Sequence, residues 1–183
     1  MPTQDARSIQ HVRNLNKRFT ADRQLQMELD RGMDRLAAGA EEAIRQRLAL
    51  LLSAVLEPAW VEHTSLQSEA LCPLVVKHCG PTTDVSGLLA QLRHELEEIS
   101  RCHRDVSSFL GNVIVGRRSG ETGLSDCLIR TVALRRNHYM TEQVLVDMVP
   151  DTLDTTDCDA LEHWERTRTA AGFPINLILD IWD

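Results

Sequence analysis

Glycine and proline are scarce in this chain, nine and six in 183 residues, which excludes a collagen-like polymer and argues against a disordered one. A basic excess is also missing, since the net charge is −7 with histidines neutral. Proteins that draw affinity from phosphate contacts present a basic face, so nucleic acid is excluded as the expected partner. The densest basic stretches, Arg45 to Arg47 and Arg135-Arg136, read as solvated flanks of helices.

Long hydrophobic runs are absent too. The longest, Leu48 to Leu52 with Ala54 to Leu56, is broken by Ser53 and falls short of the roughly 20 residues of a membrane span. The first residues lack a basic region, an apolar core and a small-residue cleavage site, so no signal peptide and a cytoplasmic location are expected. Five cysteines, Cys72, Cys79, Cys102, Cys127 and Cys158, form neither C-x-x-C nor zinc-ribbon spacing and read as reduced thiols. Strand patterning with turn signals is missing, as are the phosphate-cradling, nucleophile-elbow and H-E-x-x-H motifs, which leaves nucleotide-fold and hydrolase readings without support.

What is present is helical periodicity in a chain whose apolar fraction is 43% and whose length suits one domain, residues 1–183. Ile9, Val12, Leu15 and Phe19, then Leu25, Met27 and Leu29, predict a helix over about 5–36, bent or turned near Asp22. A second helix runs from about Glu41 to Val76, with Pro58 inside it expected to kink or split it. Lys77 to Thr83 reads as a loop, with Asp84 as the cap of a third helix over about 85–115. A fourth follows over about 124–149, ending at Pro150. The bundle thus occupies about 5–150, and 151–183 forms an extension: a short helix over 157–171, then an apolar tail, Ile175 to Trp182, suited to packing on the bundle or on a second copy.

Histidines occupy positions on these helices where leucines would be expected. At 100° per residue, His103 lies within about 40° of Leu92, Leu96, Ile99 and Leu110. His63 stands in the same relation to Leu52, Leu56, Ala59, Ala70 and Leu74, and His138 to Cys127, Thr131, Leu134, Leu145 and Val149. Glu142 follows His138 by one turn, whereas His11 is looser, about 75° from the centre of its stripe. A buried imidazole or carboxylate costs free energy unless something compensates it. Histidine plus carboxylate is a set that suits Fe, Mn or Zn. No histidine has a glutamate three residues before it, which disfavours a ferritin-like di-iron site.

Taken in order, these segments resemble the hemerythrin-like (HHE cation-binding) family over about residues 5–170. His63-Thr-Ser-Leu-Gln-Ser-Glu-Ala-Leu-Cys-Pro73 is similar to its H-x-x-x-E-x-x-x-L-F-P, and His138-Tyr-Met-Thr-Glu142 to its H-x-x-x-E. Ile99-Ser-Arg-Cys-His103-Arg-Asp-Val106 resembles its third-helix L-x-x-E-H-x-x-I, with His11 in the first-helix place. The resemblance implies an up-down-up-down four-helix bundle and a non-haem di-iron centre. His11, His63, His103, His138 and Glu142 would be the ligands, and O2, peroxide or nitric oxide the small ligand bound or sensed.

Gln67 stands where the family carries its second-helix carboxylate, so a mononuclear or lost site is the competing expectation. Glu62 and Glu69 lie nearby, roughly 100° and 120° from the histidine face, and His94 is the other third-helix candidate, on the opposite side from His103. Tyr139, Trp60, Thr131 and Thr141 are expected around the ligands. The other function class is a metal-free helical interaction or regulatory module. No acid–base pair can be assigned, so whether the chain is an enzyme stays open.

Overall fold

The computed structural model describes residues 4–80, 83–116 and 121–168. Within them the chain is all α-helical, an up-down four-helix bundle with a short C-terminal helix. The long helices are α1 (Gln4–Ala37), α2 (Glu42–Ser65), α4 (Thr83–Ile114) and α5 (Glu121–Asp147). Each packs against two neighbours in the ring α1, α2, α4, α5. The apolar tail expected at Ile175 to Trp182, and any association through it, lie outside the described residues. Among the described residues no helix is long and apolar enough to cross a membrane.

Several boundaries differ from those expected. No turn interrupts α1 at Asp22, and α1 stops at Ala37 because Gly39, at φ +82°, takes the left-handed conformation that closes a helix. Met27 and Ile9, expected on the inner stripe, are exposed, while Gln26 and Asp30 are buried. Helix α2 passes through Pro58 without splitting. Its regularity fails later, in a π-helical segment (Leu66–Leu71) where the Cys72 N–H reaches the Gln67 carbonyl, five residues back. Such segments gather at functional sites, because one added residue re-aims the side chains of that turn. The chain then continues as α3 (Cys72–Cys79), so the expected loop from Lys77 begins only at Gly80.

Two apolar clusters fill the ends of the bundle. One gathers Leu29, Met33, Leu52, Leu56, Leu110 and Leu128; the other gathers Phe19, Leu71, Val75, Leu92, Leu145 and Trp164. At about 1.5–3 kcal/mol for each large side chain removed from water, these clusters drive assembly. Between them lies an interior that is largely polar: Gln26, Asp30, His63, Gln67, His103, Arg135, His138 and Glu142 are all buried.

Helix α6 (Thr155–Arg168) closes one end. Lys77 reaches Asp154 and Asp157, both at 2.6 Å, and Arg7 reaches Glu162 at 2.7 Å. The buried Trp164 donates from Nε1 to Ser65 Oγ at 3.2 Å, on the last residue before the π-helical segment. The C-terminal helix therefore buttresses the turn that carries Gln67.

Candidate metal centre

The interior polar residues fall into two groups around Trp60. Its indole stacks on His63 with ring centres 5.0 Å apart, presents edges to His103 and His138, and donates to Ser100 Oγ at 2.8 Å. The first group joins α1, α2, the π-helical segment, α4 and α5. His63 Nδ1 lies 2.5 Å from Asp22 Oδ2, and His138 Nδ1 lies 3.1 Å from Glu95 Oε2. A carboxylate can only accept, so each Nδ1 carries a ring proton, and when the ring is neutral its Nε2 keeps a lone pair. Those two Nε2 atoms are 3.0 Å apart.

Gln67 inserts its amide into this gap. Its Nε2 lies 2.9 Å from His63 Nε2, 2.8 Å from His138 Nε2 and 2.9 Å from Glu142 Oε1. Two amide hydrogens thus face three acceptors, while Gln67 Oε1 is buried without a hydrogen-bond partner. Asp22, His63 and Glu142 meanwhile offer ligand atoms within 4.8 Å of one another, a cluster able to coordinate one metal ion.

Surrounding groups hold these residues in place. Thr141 Oγ1 and Gln91 Nε2 donate to Glu95 Oε1 at 2.9 and 2.8 Å. Burial pushes the Glu95 carboxyl up, but the bonds from His138, Gln91 and Thr141 outweigh it and hold it below its usual value. Burial holds the His138 imidazole below its usual value, against the pull of Glu95. At the rim, Arg23 donates to Glu142 Oε2 at 3.2 Å and to Gln143 Oε1 at 2.5 Å. Arg23 also lines an open groove of about 690 Å³ between α1 and α5, with Phe19, Met27 and Val146.

The second group centres on Arg135, which is wholly buried, in contrast to the solvated flank expected of it. Its neighbour Arg136 fits that expectation, pairing at the surface with Asp34, as does the exposed Arg47. Arg135 donates from Nε to Asp30 Oδ1 at 2.6 Å, from Nη2 to the Gln26 carbonyl and Oε1 at 3.0 and 2.5 Å, and from Nη1 to His103 Nε2 at 3.2 Å. Tyr139 donates to Asp30 Oδ2 at 3.2 Å. Because a guanidinium only donates, His103 carries its proton on Nδ1, which is buried without a partner. Burial, then the charge of Arg135, holds His103 well below its usual value.

The remaining sequence candidates lie elsewhere. His11 sits at 3.1 Å from Glu162 of α6. It is eleven residues before Asp22, about 16 Å along the helix. His94 and Glu69 are exposed and Glu62 is half-buried. Sequence reasoning missed Asp22, Glu95, Arg23 and Arg135. Arg135 had a usable signal, since three residues before His138 puts it on the same face. Asp22, Gln26 and Asp30 likewise recur every four residues along α1. In comparison with known proteins, no family model, no curated protein and no solved structure matches the chain.

Proposed function

We propose that this bundle is a non-haem iron protein, hemerythrin-like in its use of inward histidines, that binds or senses O2, peroxide or nitric oxide. The observation that carries the reading is the pair of His63 and His138 lone pairs held 3.0 Å apart, each by a carboxylate on the far side of its ring. Metal-ligating histidines are held in this way, with the second nitrogen tied to a carboxylate that fixes tautomer and direction. The charge balance agrees. Asp22, Glu95 and Glu142 against Arg23 leave a net charge of −2, which one divalent cation would balance, when both imidazoles are neutral.

The residues present fit such an ion. Asp22, His63 and Glu142, whose ligand atoms lie within 4.8 Å of one another, would hold it, and His138 would join them through its Nε2, 3.0 Å from that of His63. Gln67 would turn its amide so that Oε1, now without a partner, faces the ion. Nitrogen and oxygen donors of this kind suit iron, manganese or zinc; iron would supply binding of a small oxidant or diatomic at an open position. The groove beside Arg23 gives such a ligand an approach, and Arg23, donating to Glu142, stands between groove and ligands.

A second reading, a metal-free regulatory bundle, draws on Gln67, whose amide already bonds the histidine pair and Glu142. Metal analysis and a visible spectrum decide between them. Stoichiometric iron after anaerobic Fe(II) reconstitution, with ultraviolet charge-transfer bands appearing in air, supports the proposal. No retained Fe, Mn or Zn, with H63A and H138A folded like the wild type, would sink it.

A further inference from the structure

We propose that the Arg135 guanidinium is a resident cation occupying the place beside His103 where a second metal ion would have to sit, so that the centre takes one ion per chain. This rests on the metal reading above and goes beyond it in fixing the count. The first step is geometric. Arg135 is fully buried and its Nε, Nη1 and Nη2 are all engaged, by Asp30, His103 and Gln26. Those acceptors are an imidazole nitrogen, a carboxylate oxygen, a main-chain carbonyl and a side-chain amide oxygen, converging from α1 and α4 on a group carried by α5. Such a set would bind a cation, and here the cation is covalently part of the chain.

The second step is electrostatic. Asp30 and Arg135 neutralise each other, and an arginine stays charged in any protein environment. A divalent ion set against that guanidinium would meet direct repulsion at low dielectric, with no carboxylate left to compensate it. His103 also has no nitrogen to offer: Nε2 accepts from Arg135 and Nδ1 carries the proton. The inward histidine of α4 therefore serves the guanidinium, while the histidines of α2 and α5 face the ion. Trp60, with the Arg135 guanidinium carbon 5.8 Å from its ring centre and its plane stacked on His63, packs against both groups.

The test counts ions in full-length protein loaded anaerobically with Mn(II) or Fe(II), by elemental analysis, with Mn(II) paramagnetic resonance to separate isolated from coupled ions. The expected results are one ion per chain with an isolated-ion spectrum, and H103A keeping that ion with its dissociation constant within about threefold. R135A, refolded with and without Mn(II), should take up a second ion and show exchange coupling, and R135A/H103A should lose it. Two ions in the wild type, loss of the ion in H103A, or a folded R135A that still holds one ion would each overturn the inference while leaving the metal reading intact. If R135A does not fold under either condition, the wild-type count and H103A decide. No ion in the wild type overturns the metal reading and this inference with it.

Discussion

Two polar groups share the interior of one bundle, yet they are compensated in opposite ways. Around Arg135 every charge has its counter-charge inside the chain: the guanidinium faces Asp30, and Gln26 and His103 accept three further hydrogen bonds from it. Around His63 and His138 the chain supplies three carboxylates, two lone pairs at 3.0 Å and one rim guanidinium that is 31% exposed. In the first group the ion pair is closed when the helices have packed, and the buried Nδ1 of His103 is the atom left without a partner. The second gathers Asp22, His63 and Glu142 into a cluster able to coordinate one metal ion. Acidic residues in a core thus gain meaning from what stands opposite them, and burial alone does not separate a structural ion pair from a ligand set.

The largest expected effect breaks the first group. R135A leaves Asp30 buried without its cation and should cost metal-free protein about 3–5 kcal/mol, measured by denaturant unfolding. A loss under 1 kcal/mol would show that Arg135 is not the keystone of that group. The reciprocal experiment concerns the second. H63A and H138A should each lower Mn(II) affinity by more than the roughly 10–100-fold expected of E95Q, which removes only the carboxylate behind the His138 ring. Titration calorimetry reads both, and E95Q binding as tightly as wild type would detach Glu95 from the site.

A third effect is pH-dependent. Burial holds His103 and His138 below the usual value near 6.5, so the unfolded chain takes up protons at those residues before the folded one does. Stability of the metal-free protein should therefore be greatest above about pH 6.5 and fall as pH drops below it, with a shallower fall in H103Q. A pH-independent midpoint between 7 and 5 would contradict this. The smallest effect lies at the rim. R23Q removes a positive charge in contact with Glu142 and should tighten Mn(II) binding, by about fivefold or less because the guanidinium is partly exposed.

The sequence made much of the fold legible. Sparse glycine and proline and a 3.6-residue apolar period predicted long helices with ends close to those observed, and phase analysis placed His63, His103, His138 and Glu142 inward, where all four are buried. The π-helical segment was not legible: it starts eight residues after Pro58, and Pro58, the visible breaker, interrupts nothing. The α1 member of the group around His63 was not legible either. His11 drew attention because of its type, but Asp22 is level with His63, and His11 meets Glu162 on α6.

Helical phase is a local property, set by 3.6 residues per turn, and a reader of the sequence can compute it one helix at a time. That much determined an all-α bundle with imidazoles on its inner faces. Which groups then meet depends on how α1, α2, α4 and α5 slide and rotate against one another, with contacts 41 residues apart for Asp22 and His63 and 105 apart for Asp30 and Arg135. Only that register turned two histidine lone pairs toward each other, put a carboxylate behind each ring and set a buried arginine against His103. The physical reason is that a carboxylate or imidazole carries no mark of its partner, and packing alone decides whether the charge opposite it comes from the chain or from an ion.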